Sequence, residues 1–91
     1  MLKKQATIFF LYFLKNDLTY HRFAISINRK IGNSVKRNYI KRKIKEYFRL
    51  NQYLIDTKYD LWVIVKKSFG KENAFKVEQL FIDSLIKINY I

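Results

Sequence analysis

Arg22-Phe23-Ala24-Ile25-Ser26-Ile27-Asn28-Arg29-Lys30-Ile31-Gly32-Asn33-Ser34-Val35-Lys36-Arg37-Asn38-Tyr39-Ile40-Lys41-Arg42 holds a strand, a turn and the opening of a helix in one uninterrupted stretch. Up to Asn28 the residues alternate, with Phe23, Ile25 and Ile27 on one face and Arg22, Ala24, Ser26 and Asn28 on the other. That period of two is what a half-covered strand requires. Gly32-Asn33-Ser34 breaks the alternation and supplies Asn33 or Ser34 as an N-cap, after which helix formers run without a breaker. The pattern predicts a helix from Ser34 to Leu50.

Working outward, Thr7 to Leu14 is almost continuously apolar and aromatic, the composition of a strand covered on both faces. Lys15-Asn16-Asp17-Leu18-Thr19 then carries turn chemistry, so a hairpin into the strand at Arg22 is expected. Downstream, Asp56 and Asp60 flank a loop that leads into a third strand, Leu61 to Val65. After Ser68-Phe69-Gly70, a second amphipathic helix is expected over Asn73–Asn89, with Phe75, Val77, Leu80, Phe81, Leu85 and Ile88 at spacings near three and four. The order is strand, strand, helix, strand, helix: one α+β domain over residues 1–91, with no repeat and no linker.

Nineteen Lys plus Arg against seven Asp plus Glu give a formal charge of +12, which calls for a polyanionic partner. Nucleic acid, an anionic membrane and an acidic protein all meet that description. The lack of cysteine excludes a disulfide scaffold or a thiolate metal site, and a single histidine, His21, cannot build an imidazole cluster. Lys3-Lys4 before the apolar run Ile8 to Leu14 has the look of a secretory signal. The run is too short to span a bilayer, however, and lacks a small-residue cleavage site, so it reads as a buried strand. A protein-only nuclease would want converging carboxylates or a His/Lys pair. Here the acids are scattered, Asp56 and Asp60 read as a loop pair, and His21 beside Arg22 reads as a surface residue.

Nine of the nineteen cations lie between Arg29 and Arg49, opposed only by Glu46. Wound at about 100° per residue, the segment gathers Asn38, Lys41, Arg42, Lys45 and Arg49 into one sector and Ile40, Ile44, Tyr47 and Phe48 into another. Most charged helix faces mix signs, but on this one only Arg42 and Glu46 are spaced for an i,i+4 pair, so the other cations repel one another. A phosphate backbone would offset that repulsion, and Asn38 could add a hydrogen bond to sugar, phosphate or base. A membrane-surface helix would need its apolar face free to insert, whereas a chain this short needs Ile40, Ile44 and Phe48 for its core.

The stretch from Arg22 to Arg42 resembles the signature of the bacterial ribonuclease P protein component: a strand, a Lys-Lys-(Val/Ile)-Gly-x-(Ala/Ser)-Val turn, then a helix opening Arg-Asn-Arg-x-Lys-Arg. Phe9-Phe10-Leu11-Tyr12 and Asp60-Leu61-Trp62-Val63-Ile64-Val65 are more loosely similar to the family's flanking strands. The resemblance implies a small two-layer α+β sandwich with a left-handed βαβ crossover, against the usual right-handed rule. It implies a non-catalytic, cytoplasmic, membrane-free subunit of a ribozyme. The catalytic RNA subunit would remove the 5′ leader of precursor tRNA with Mg2+ bound mainly by RNA, and no metal or cofactor would be intrinsic to the protein.

Carried onto this chain, Arg37, Asn38, Lys41, Arg42 and Lys45 match the RNA-contacting basic motif and Lys30 a basic position in the preceding turn, while Arg49 extends the same cationic stripe. Phe10 and Tyr12 match the face that lines the leader cleft, where stacking is worth about 1–3 kcal/mol per base. The chain departs from the family pattern at three places. Tyr39 replaces an Arg, removing a fork of donors and keeping a planar ring; Lys45 replaces an Arg, keeping charge and losing the fork. The family's N-terminal helix is absent before the first strand, which points to a start farther upstream or to a reduced cleft. The competing function is a general RNA-binding or ribosomal protein that uses the same helix without a role in tRNA processing.

Overall fold

Residues 2–5 and 8–90 are described by a computed structural model. The elements are β1 (Leu2–Gln5), β2 (Phe9–Lys15), β3 (Arg22–Ile27), α1 (Ser34–Asn51), a single 3-10 turn at Gln52–Leu54, β4 (Tyr59–Val65) and α2 (Lys71–Ile88). The strands form one four-stranded sheet in the order β1-β2-β4-β3. β2 runs antiparallel to both β1 and β4, whereas β3 lies parallel to β4 and reaches it through α1. Among the described residues, no helix is long and apolar enough to cross a membrane.

The inner sheet face, with Phe9, Leu11 and Phe13 of β2 and Leu61, Val63 and Val65 of β4, is buried. It joins Ile40, Ile44, Tyr47 and Phe48 of α1 and Val77, Phe81, Leu85 and Ile88 of α2 in one core cluster. Helices in proteins draw most of their stability from packing of an apolar face, so the shared apolar layer holds these two in place. β3 sits at the edge, and its inward Phe23, Ile25 and Ile27 are only partly buried, as the strict alternation predicts.

Several expectations need correcting. The N-terminal segment forms a strand, because its backbone pairs with β2 from Leu2↔Phe13 to Gln5↔Phe10. Thr7 lies outside the described residues. The expected hairpin does not form: Asn16 does build a local turn, its Oδ1 accepting the Leu18 N–H at 2.9 Å, but β4 inserts between the two strands that this turn connects. β2 is not covered on both faces; Phe10 and Tyr12 are half-buried and Leu14 is exposed. On α2, Phe75 is 73% exposed rather than core.

Asn33 is the N-cap of α1, its side chain accepting the Lys36 N–H at 2.9 Å. The first turn of α1 holds no acidic residue, which leaves the cap as its local stabilisation. Asn33→Ala should lower stability by about 1 kcal/mol, read as a shift of the urea midpoint at unchanged slope. An unaltered midpoint would mean that tertiary packing alone fixes this helix start.

Candidate nucleic-acid interface

Burial of Ile40, Ile44, Tyr47 and Phe48 turns the opposite side of α1 to solvent, and Asn38, Lys41, Arg42, Lys45 and Arg49 are all exposed there. Lys30, also exposed, stands on the preceding turn, where its N–H donates to Asn28 Oδ1 at 2.8 Å. Gly32 makes that turn with a φ of +72°, and a Cβ there would meet Lys36 Cγ at 2.9 Å, so only glycine fits without strain. Arg37 is set differently from the rest of the ridge. Its Nη1 donates to the carbonyls of Arg29 at 3.0 Å and Gly32 at 2.8 Å, clamping the turn and leaving its other donors for a partner.

Glu46 does not pair with Arg42; it approaches Lys43 at 3.9 Å, three residues back, leaving the Arg42 guanidinium outside that pair. Part of the repulsion on this side of α1 is offset within the chain. The half-buried Tyr39 ring lies edge-on to Phe69, with Lys36 at 5.8 Å, Arg42 at 5.7 Å and Lys43 at 5.9 Å from its centroid. At this position the chain places a π face that attracts three cations.

The outer sheet face carries the second group of residues. Phe10 and Tyr12 project there from β2, and register sets Tyr12 opposite Trp62 and Phe10 opposite Ile64. The Tyr12 and Trp62 ring centroids are 5.6 Å apart, and Trp62 Nε1 donates to Ser26 Oγ on β3 at 2.8 Å, which fixes the indole plane. Trp62 is 40% exposed, an unusual position for a large ring unless something covers it. The sequence reading assigned it no role, although alternation along Leu61 to Val65 already separates it from its inward neighbours. Lys3 and Lys66 were also missed; their ammonium groups lie over the Phe10 ring at 4.4 Å and 4.1 Å from its centroid.

An ion-pair network supports the far end of this face. Arg22 donates through Nε to Asp60 Oδ1 at 2.7 Å and through Nη2 to Oδ2, and Asn16 Nδ2 donates to the same Oδ1 at 2.9 Å. Asp60 is therefore a strand residue tying β4 to β3 and to the connector after β2, not half of a loop pair. Arg22 first and Asn16 second hold its carboxyl at about 2. His21 is not a free surface group either: its Nδ1 accepts the Tyr59 N–H at 3.1 Å and its ring meets Phe48 edge-on. Burial, reinforced by Lys58, pushes its pKa below 6.5.

Both shifts have the same sign of consequence for stability. Each group binds its proton more weakly folded than unfolded, so acid favours the unfolded chain. The His21 contribution is present above pH 6.5 and is lost as pH falls below it. The Asp60 contribution is present above 3.8 and is lost as pH falls towards 2. Melting temperature should thus decline in two stages on acidification, and Asp60→Asn should flatten the lower stage selectively. A parallel decline in that variant would refute the assignment.

The Ribonuclease P family model matches residues 3–89. The ribonuclease P protein component of Alkaliphilus metalliredigens is 34% identical over 82 residues, covering 89% of this chain and 73% of the relative. That of Fusobacterium nucleatum is 43% identical over 61 residues, covering 67% of this chain and 55% of the relative. The chain spans about half the length of several of the curated relatives it matches. Among solved structures, the ribonuclease P protein of Thermotoga maritima superposes with a TM-score of 0.80 at 28% identity, covering 94% of this chain and 82% of that one. The protein from Staphylococcus aureus gives 0.71 at 28% identity, covering 96% and 79%. With the family model matched along nearly the whole sequence and the fold shared with solved members, the chain belongs to the ribonuclease P protein component family.

Proposed function

We propose that this chain is the protein subunit of a ribonuclease P ribozyme, holding the catalytic RNA on the α1 ridge and the 5′ leader of precursor tRNA on the outer sheet face. The observation that carries this reading is the pairing of two different surfaces on one small fold: an exposed row of cations, and an outer sheet face on which half-buried Phe10 and Tyr12 stand beside exposed Trp62. The first suits a folded RNA backbone, whose phosphates it would neutralise. The second suits unpaired bases, which stack on aromatic side chains. A protein that only grips the backbone of a folded RNA needs just the first.

The chemistry of leader removal would belong to the RNA and to Mg2+ held by it, with the complex acting in the cytoplasm. Among the described residues no three His, Cys, Asp or Glu side chains gather, and Asp60, the carboxylate on the aromatic face, is already engaged by Arg22 and Asn16. On this reading the protein supplies cations and positions substrate.

The test is reconstitution with a bacterial ribonuclease P RNA at low Mg2+, following removal of the leader from precursor tRNA. Stimulated cleavage at the mature 5′ end, fading as the leader is shortened, is expected. Tight RNA binding without stimulation would favour the general RNA-binding alternative.

A further inference from the structure

Phe10 was read from the sequence as a ring for a base to stack on, but its surroundings fit a different task. Three neighbouring strands converge there: β1 brings Lys3, β2 brings Phe10 itself, and Lys66 follows the last residue of β4. Lys3 Nζ lies 4.4 Å and Lys66 Nζ 4.1 Å from the centroid of the one ring. Lys3 also reaches Tyr12, at 5.7 Å. A base stacking on Phe10 would have to displace these ammonium groups. Two like charges gathered at one ring are held by its negative face and repel each other, which is an arrangement that an incoming anion completes.

Lys66 has a second connection. With Ser26, Asn28, Lys30 and Ile64 it lines an open hollow of about 530 Å3 that runs from the sheet face to the glycine turn before α1. The backbone under Lys66 is fixed as well, its N–H donating to the Ile8 carbonyl at 2.7 Å. Lys66 therefore stands between the aromatic rings and the turn that leads into the basic helix, while Lys3 reaches the same ring from the edge strand.

We propose that Lys3 and Lys66, gathered by Phe10, form a phosphate clamp for single-stranded RNA on the outer sheet face, and that base stacking on this face falls to Trp62 with Tyr12. The inference rests on the proposal that a leader lies on this face. It divides the labour along β2 between two rings two residues apart: Phe10 positions cations, and Tyr12 joins Trp62 as a platform. The Trp62–Ser26 hydrogen bond fixes the orientation of the indole, so a base meets a ring already oriented.

The chain's single tryptophan makes the two roles separable in one titration. A short single-stranded RNA of leader length is titrated into the full chain at several salt concentrations, and Trp62 fluorescence reports stacking while the salt dependence of affinity counts phosphates. Wild type should show quenching. Lys3→Met with Lys66→Met should keep the quenching and lower the slope of log K against log salt by about 0.7 for each phosphate released. Phe10→Leu, which keeps an apolar group at a half-buried position, should lower the slope in the same sense. Quenching in wild type with an unchanged slope in the lysine double variant would overturn the clamp and leave the leader-face reading standing. A Phe10→Leu variant that loses affinity at an unchanged slope would likewise overturn it, because that is the signature of a stacking ring. Absence of quenching in wild type would sink the leader-face reading and the clamp with it.

Discussion

Phe81→Ala should remove most of the stability of this fold. The ring is fully buried on α2 and touches three other elements: it is edge-on to Phe9 of β2 at 5.6 Å and to Phe23 of β3 at 6.3 Å, and tilted against Tyr47 of α1 at 6.5 Å. Truncation of such a ring costs about 3–5 kcal/mol, the lost transfer energy plus the cavity left behind. A domain has only about 5–15 kcal/mol in total, and one this small sits towards the lower end. At about 4–8 °C per kcal/mol, the melting temperature should fall by more than 10 °C. Phe75→Ala on the same helix should change stability by less than about 0.5 kcal/mol, since that ring is 73% exposed. Urea denaturation followed by far-ultraviolet circular dichroism separates the two, and equal midpoints would mean that α2 is not held by this ring.

The contrast between Phe81 and Phe75 also shows where the sequence was legible and where it was misread. Val77, Phe81, Leu85 and Ile88 do fall on one side at 3.6 residues per turn, but Phe75, two residues before Val77, lies about 200° around the helix from it. The pattern held the answer; grouping by approximate spacing hid it. The same angular bookkeeping on α1 separated Ile40, Ile44, Tyr47 and Phe48 from Lys41, Arg42, Lys45 and Arg49 correctly, because charge and apolarity divide cleanly there. The strand order was not legible in any local window. The turn at Asn16 is real, yet whether its two flanking strands pair depends on β4, far along the chain, and on the Arg22–Asp60–Asn16 network that ties the three together. β1 escaped notice because Leu2-Lys3-Lys4-Gln5 has little strand propensity of its own, and lysines are what an edge strand carries. Trp62 and Lys66 acquired meaning only once register set them on the face of Tyr12 and Phe10.

Lys41→Ala with Arg42→Ala should weaken binding to the ribozyme RNA without weakening the fold. Both side chains are exposed on the side of α1 opposite Ile40 and Ile44, so neither contributes to the core. Removing Lys41 also relieves its i,i+4 repulsion with Lys45, a gain of a few tenths of a kcal/mol in helix stability. If each contacts one phosphate, the slope of log K against log salt should fall by about 1.4–1.8, which at about 0.1 M salt corresponds to roughly 25- to 60-fold weaker binding. A change of two charges on a protein of +12 would weaken binding to any polyanion somewhat, so the comparison that matters is with an equal change elsewhere. Lys71→Ala with Lys76→Ala on α2 removes the same charge from exposed positions outside the ridge. A ridge that contacts phosphate directly predicts a large loss of slope in the α1 pair and a small one in the α2 pair. Equal losses would reduce the basic helix to a share of net charge, and the surface that meets the RNA would then have to be sought on the sheet.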